Sequence, residues 1–268
     1  MFFLTLSSQV CAKNVTQTTD NNLFIRAGLF YANIDSYLDI DNNKLDYEDH
    51  LNLEKNTFSP TLEIIYLFNE RHLINFNIYA LRRDATQDYL SKPFLGPFDN
   101  SVEYQVGMET ESLLNTDIYQ MNYGYNFIYQ DAWALGVSFG IHIINFKTSI
   151  NANGALENNN SQQVTKANKV NRRKLTVPLP NLGFFAHYDF SETWKISAHA
   201  QYLHILTDYL EGGMIDAHLA LNYKITNNFT IIGAINYDHI TFDDDHRNRD
   251  YSLSYRYIGP LLMLEYGF

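Results

Sequence analysis

One short segment of the sequence carries the residue spacing of a serine hydrolase. Gly136, Ser138 and Gly140 match the pattern G-x-S-x-G, in which a sharp strand-to-helix turn exposes a nucleophilic serine. Here the motif lies within an alternating stretch, and Val137 and Phe139 belong to its apolar face. A serine in the middle of such a strand has no sharp turn to expose it. The sequence therefore favours a stripe of small residues over a nucleophile.

A second pair of residues has the types needed for acid–base chemistry. Asp216 and His218 are two residues apart, so on a strand they share one face, and we expect them near its outer end. They would have to converge within hydrogen-bond reach of each other and of a substrate. Asp216 and His218 are thus weak catalytic candidates, and satisfied polar groups are the favoured interpretation.

Three histidines, His142, His187 and His199, lie on the non-apolar faces of their segments. No H-E-x-x-H or comparable spacing accompanies them, and the only cysteine is Cys11, in a leader-like segment. We therefore predict hydrogen-bonded interior histidines, no metal site and no cofactor.

Charged residues also alternate with small residues on the non-apolar faces. A charge in a protein-like interior is costly unless it is paired, so we expect these side chains to line the interior and to pair with one another. The alternative is a charged lining for a narrow conduit. The charged residues that we expect in the interior are Arg26, Glu63, Lys195, Lys224 and Glu265.

The elements that carry these residues follow a period of two. In residues 133–143, Trp133, Leu135 and Phe139 share an apolar face with Val137, while small and polar residues occupy the other face. Such an apolar face spans about ten residues, the length that a tilted strand needs to cross a bilayer. A soluble β-sandwich is the alternative, but its strands average only about five to six residues.

Breaks in the alternation are of two kinds. Short polar breaks occur at 69–72, 130–132, 189–193 and 226–228, each with aromatic residues nearby. Long breaks occur at 35–56, 84–101, 151–174 and 243–250, and a tight one at 210–213. Short turns on one side and long loops on the other are typical of an antiparallel transmembrane up-and-down β-barrel.

We predict about ten strands, with 8 or 12 as alternatives. They should begin near Asn22, Ser59, His72, Val102, Trp133, Thr176, Trp194, Gly213, Phe229 and Tyr251.

The last strand, YIGPLLMLEYGF, alternates up to Phe268. It should present Ile258, Leu262 and Phe268 to lipid, and Tyr257 to Glu265 at alternate positions to the interior. Bacterial outer-membrane proteins commonly close on such a strand, and Tyr266 and Phe268 are the candidate signal for the outer-membrane barrel-assembly machinery.

The chain from about residue 51 to Phe268 resembles a family of uncharacterised proteobacterial outer-membrane β-barrel proteins. The segments that carry the resemblance are LNLEKNTFSPTLEIIYLFNERHLINFNIYALRR, VPLPNLGFFAHYDFSETWKISAHAQYL and YRYIGPLLMLEYGF. The resemblance implies the fold and a bacterial outer-membrane location, and it implies no activity.

The remaining expectations concern the ends of the chain and its charge. Residues 1–12 resemble a signal-peptide remnant, residues 13–21 a short periplasmic segment, and residues 22–268 the barrel. A net charge of -11 disfavours nucleic-acid binding. Basic residues in one long break are candidates to contact lipopolysaccharide, and a solvated loop is the alternative. They are Lys166, Lys169, Arg172, Arg173 and Lys174.

Three functions remain open from the sequence. The first is a monomeric structural, adhesion or surface-interaction barrel that uses its extracellular loops, because small barrels fill with side chains. The second is a narrow channel for ions or small solutes. The third, an outer-membrane protease or lipid hydrolase, has no supporting motif. Such proteases carry Asp/Asp and Asp/His pairs at the extracellular mouth, and their placements are not reproduced in these loops.

Overall fold

The computed structural model describes residues 22–40, 43–96, 99–158, 161–206, 210–246 and 249–268. Within these ranges the chain forms thirteen β-strands and one short helix, α1 (Tyr47–Leu51). The strands are β1 (Leu23–Ile40), β2 (Asn43–Asp46), β3 (Asn56–Leu67), β4 (His72–Gln87), β5 (Phe94–Gly96), β6 (Asp99–Tyr104), β7 (Glu109–Gln130), β8 (Trp133–Asn158), β9 (Ser161–Asp189), β10 (Trp194–Leu206), β11 (Leu210–Lys224), β12 (Phe229–His246) and β13 (Arg249–Gly267). In this described part of the chain, no helix is long and apolar enough to cross a membrane.

Ten of the strands form a closed antiparallel barrel. Each of β1, β3, β4 and β7 to β13 pairs with its neighbour along the chain, and β13 pairs with β1 to close the ring. The predicted fold class and the strand number of ten are confirmed. The other three strands, β2, β5 and β6, lie in the long connections on one side of the barrel.

Alternation divides each strand into an outer and an inner face as the sequence predicts. On β13 the side chains of Leu262 and Leu264 are 61% and 59% exposed, whereas Leu261 and Met263 are each 3% exposed. Apolar side chains facing outward and buried side chains facing inward indicate a barrel surrounded by lipid. The orientation predicted for the last strand is therefore correct.

Two predicted strand starts are wrong. Val102 lies in the short strand β6, and the barrel strand begins at Glu109, while β9 begins at Ser161 instead of Thr176. The predicted loop at 151–174 is largely strand, because β8 and β9 remain paired from Trp133↔Tyr188 to Asn158↔Ser161. The Asn- and Lys-rich composition of this segment is typical of a loop. Outside the membrane, however, two strands can pair through their backbones although neither has an apolar face.

The long β8–β9 ribbon leaves the barrel wall where β10 ends its pairing with β9. That pairing runs from Asp189↔Lys195 to Leu182↔Tyr202 and stops there. Pro180 and Pro178 follow on β9, and a proline has no N–H to donate to a ladder. The ribbon therefore projects on the side of the long connections.

Aromatic side chains encircle the barrel at the short-turn end. Ring centroids lie 4.7 Å apart for Trp194 and Tyr223, and 4.8 Å apart for Phe229 and Tyr266. Phe268 continues the row, with its ring 4.6 Å from that of Tyr266. Such a girdle marks the level at which strands cross a membrane interface. Residues 1–12 and 13–21 lie outside the described residues, and their assignment stays a prediction.

Candidate functional site

The half of the barrel interior nearer the long connections is filled with apolar side chains. The rings of Phe30 and Tyr79 lie 6.0 Å apart, and those of Phe30 and Tyr257 lie 5.8 Å apart. Residues from several other strands complete this layer, which we call the seal. Its fully or nearly fully buried members are Phe30, Ile34, Tyr79, Leu81, Ile118, Ile144, Phe146, Tyr255 and Tyr257. Interdigitated side chains leave this half of the lumen occupied by protein.

The connection after β1 folds over the seal as a cap, residues 43–53. Asp46 begins α1 by accepting hydrogen bonds from the backbone N–H groups of Glu48 and Asp49. Tyr47 and Leu51 point into the barrel and are 4% and 1% exposed. Burial raises the pKa of the Tyr47 phenol to about 12, so this ring remains neutral beneath the cap.

A buried ion pair fastens the cap to the barrel wall. Arg83 of β4 donates to Glu48 of α1, and the two side chains are only 1% and 2% exposed. Ser36 completes the arrangement, because its backbone N–H donates to Glu48 over 2.9 Å and its hydroxyl over 2.8 Å. No pattern in the sequence predicts this pair, since Arg83 and Glu48 have no characteristic spacing.

Predicted interior charges meet in the half nearer the short turns. Arg26 donates to Glu63 over 2.9 Å and to Glu265 over 2.6 Å, from β1 to both neighbouring strands. Asn75 donates to the second oxygen of Glu63. Lys195 lies at the end of the lumen, 3.5 Å from Asp189. The arrangement is a set of mutually satisfied charges, and its part in function stays a prediction.

Above these charges, Asp216 gathers three donors at the middle of the barrel. His142 and Gln120 each approach one carboxylate oxygen at 3.2 Å, and His199 approaches the other at 3.1 Å. Asn181 donates to Nδ1 of His142 over 2.8 Å, and Nε2 on the other side of the ring faces Asp216. The network links the five strands β7 to β11 and satisfies a carboxylate that is only 4% exposed.

The expectation for Asp216 and His218 needs correction. Asp216 lies near the middle of β11 instead of near the outer end of the strand. His218 stacks on His199 with ring centroids 4.9 Å apart and bonds Asn236 over 2.6 Å. Neighbours two apart on a strand share a face, but cross-strand partners are closer, so each residue engages the adjacent strand. In the structure both residues bond polar groups of neighbouring strands.

The G-x-S-x-G segment is a packing surface. A Cβ atom on Gly136 would lie 2.2 Å from Cζ of Phe185, and one on Gly140 would lie 2.1 Å from Oδ1 of Asn122. Ser138 is 7% exposed and faces the lumen between these two glycines, in the part of β8 near the short turns. The small residues therefore make room for inward side chains of neighbouring strands.

Replacing Gly136 by valine should destabilise the barrel by about 1 to 3 kcal/mol, because the added methyl groups overlap the Phe185 ring. Urea unfolding in detergent would measure the loss. The double variant Gly136→Val/Phe185→Ala should be more stable than the sum of the two single effects, since removing the ring vacates the space. Ser138→Ala is the control and should unfold like the unmodified protein. Strictly additive effects would contradict the packing explanation.

Other predicted site residues lie in several places. His187 faces the lumen near the short turns, and Tyr266 and Phe268 face outward in the girdle. Arg172 and Lys174 are exposed on β9. The side chains of Lys166, Lys169 and Arg173 lie outside the described residues, so the lipopolysaccharide contact predicted for them stays a prediction.

Three carboxylates at the cap, those of Asp35, Asp46 and Glu48, lie within 4.8 Å of one another. Each already has another partner: Asp35 pairs with Arg256, Asp46 begins α1, and Glu48 pairs with Arg83. Their proximity follows from docking of the cap, and we assign no cation to them.

Comparison with known structures identifies the fold. The outer-membrane protease OmpT from Escherichia coli superimposes with a TM-score of 0.61 at 11% identity, covering 94% of this chain and 98% of that one. The fold is that of a ten-stranded outer-membrane barrel. Two further structures align with a TM-score of 0.34 each. Ail of Yersinia pestis has 12% identity over 90% of this chain and 99% of that chain. The Pseudomonas putida toluene transporter TodX has 10% identity over 92% and 90%.

At these identities the likeness concerns the fold alone. No protein-family model matches the chain, and no curated protein matches its sequence. The resemblance to an uncharacterised proteobacterial family therefore stays a prediction.

Proposed function

We propose that this protein is an integral outer-membrane barrel with a closed lumen that acts at the cell surface through its extracellular segments. The observation that carries the proposal is the seal, which fills the outer half of the lumen from Phe30 to Tyr257 and is covered by Leu51 of the cap. A barrel occupied in this way supplies a membrane anchor and a rigid frame. Its interaction surfaces are then the segments outside the membrane.

The long connections supply those surfaces. The β8–β9 ribbon continues beyond the last β9–β10 pair, Leu182↔Tyr202, up to Asn158 and Ser161. On one flank it pairs with β6, where Glu103 lies opposite Glu157. Projecting, laterally supported strands suit adhesion or binding of a partner, because backbone pairing holds them in one orientation.

Neither alternative function has comparable support. A channel needs a continuous path, and the seal and cap occupy it. An enzyme acting on external substrates needs polar groups at the mouth, whereas His142 and His199 both bond Asp216 at the middle of the barrel. A narrow channel remains the second hypothesis, since the interior below the seal is polar.

Planar-bilayer recording tests the closed lumen. Purified, folded protein should give no steady unitary conductance steps, because side chains fill the path. The matched variant Tyr79→Ala/Tyr257→Ala removes two large side chains from the seal and should show conductance steps or a raised leak current. Such a signal demonstrates that the recording detects protein inserted into the bilayer. Steady steps from the unmodified protein would overturn the proposal in favour of the channel.

The location is tested separately. The full chain, expressed in a Gram-negative host, should fractionate with the outer membrane and migrate faster on gels before boiling than after. A chain found only in the soluble fraction would refute the proposed location.

A further inference from the structure

A patch of basic side chains faces outward on the barrel wall, away from the lumen. Arg82 of β4, Lys147 of β8, and Arg172 and Lys174 of β9 all belong to outward-facing positions and are exposed. The protein as a whole carries a net charge of -11, so a concentration of cations on one part of the wall needs its own explanation.

The strand register aligns three of these cations in one row. Arg82 lies opposite Asn115, Asn115 opposite Lys147, and Lys147 opposite Lys174. Directly opposed residues have Cβ atoms about 4.5 to 5.5 Å apart, and like charges at that distance destabilise a sheet. An anion bound between Lys147 and Lys174 would remove this repulsion.

One carboxylate organises part of the row. Asp117 accepts a hydrogen bond from Arg82 and lies 3.4 Å from Nζ of Lys147, and its side chain is 10% exposed. It therefore holds two of the cations in place. Arg172 and Lys174 have no ion-pair partner among the residues that the structure describes, so their charge is available to a ligand.

The row lies just above the lipid-facing belt. The outward side chains of β8 are apolar from Trp133 to Ile143, then comes Asn145, and then Lys147. A belt of this length corresponds to about 25 Å across the membrane. Lys147 and its neighbours consequently lie at the level of the headgroups of the outer leaflet.

The same four strands enclose a groove of about 600 Å³, which we call the wall groove. Basic, acidic and hydroxyl groups line it, including Asp84, Glu111, Lys147, Ser149, Arg172 and Lys174. Its volume is within the range of about 300 to 1,000 Å³ that is typical of sites for small molecules. The groove can therefore hold a sugar-sized headgroup above the acyl chains.

We infer that the wall groove binds the phosphorylated glycolipid headgroup of lipopolysaccharide. Lys147, Lys174 and Arg172 contact its phosphate groups, Ser149 donates to its sugar oxygens, and its acyl chains lie along the apolar belt below. Phosphates are acceptors of strong charge-assisted hydrogen bonds from such side chains. The inference rests on the proposed outer-membrane location, and it specifies a lipid partner for the wall.

Binding of diphosphoryl lipid A to the full-length barrel in detergent micelles tests this inference. Lys147→Gln/Lys174→Gln should bind at least about tenfold more weakly than the unmodified protein, because each charge-assisted bond contributes about that factor. Lys44→Gln/Lys55→Gln, an equal change of charge at the cap, should bind normally. The single variant Lys174→Gln, whose side chain has no ion-pair partner among the described residues, should show an intermediate loss.

Three comparisons identify the ligand. Dephosphorylated lipid A should bind weakly, phosphatidylglycerol should not compete, and inorganic pyrophosphate should compete only at much higher concentration. Equal competition by pyrophosphate would show a general phosphate site and overturn the glycolipid assignment. Equal affinity of all variants would overturn the site itself. A protein that reaches the outer membrane but fails these tests refutes only this inference, whereas one that does not reach it refutes the proposed function.

Discussion

Replacing Arg26 by methionine is expected to lower the free energy of unfolding by about 3 to 5 kcal/mol, because the substitution leaves two interior carboxylates without their cation. Arg26 bonds Glu63 at 2.9 Å and Glu265 at 2.6 Å, and these carboxylates are 13% and 12% exposed. Without Arg26 they repel each other across the strand that separates them. Urea titration of the refolded barrel in detergent, followed by heat-dependent gel mobility, would measure the change.

The matched control for Arg26→Met is Lys195→Met. Lys195 is 44% exposed and lies 3.5 Å from Asp189, so losing this screened pair should cost at most about 1 kcal/mol. Adding Glu63→Gln and Glu265→Gln to Arg26→Met should recover much of the lost stability, since no uncompensated charge remains. Equal effects of the two single variants would show that the triad does not act as a buried charge network.

Replacing Arg83 by methionine should release the cap. Arg83 and Glu48 are almost completely buried, and losing one partner of such a pair costs about 3 to 5 kcal/mol. The cap should open before the barrel unfolds, because Glu48 is the residue of α1 that bonds both Arg83 and Ser36 of the wall. Trypsin cleavage after Lys44 and Lys55 should accelerate at least about a hundredfold, in proportion to the open fraction.

Arg256→Met is the control for Arg83→Met. Arg256 pairs with Asp35, which is next to Ser36 in sequence, but both side chains are about half exposed on the outer wall. Its loss should leave cleavage at the cap unchanged. Glu48→Gln combined with Arg83→Met should slow cleavage again, because the uncompensated carboxylate is gone. Unchanged cleavage in Arg83→Met would refute the role of the ion pair as the fastening of the cap.

Much of the fold follows from local properties of the sequence. Whether Leu262 faces lipid and Leu261 the interior depends only on alternation along β13 and on which residues are apolar. The short turns, which have aromatic residues beside them, connect consecutive strands. The order of these strands in the barrel can therefore be predicted without knowledge of contacts between distant residues. The misplaced starts of β7 and β9 occur outside the membrane, where no apolar face constrains the sequence.

The interior and wall contacts depend instead on the register between strands. Arg26 meets Glu265 across 239 positions of the chain, and Asp216 meets His142 across 74. The sequence alone could place Asp216 and His218 on one face, but it could not predict which residues of the neighbouring strands they would bond. A barrel of ten strands can close with different staggers, and each stagger brings a different set of residues together.

By itself, then, the sequence determined the barrel, the lipid-facing side chains and the closing strand, because alternation and apolar length are properties of each strand alone. Only the tertiary structure decided that apolar side chains fill the outer half of the lumen, that Arg83 pairs with Glu48 of the cap, and that Lys147 lies opposite Lys174 on the wall. The physical reason is that these features arise where strands distant in sequence are aligned by backbone hydrogen bonds, and that alignment is a property of the closed sheet.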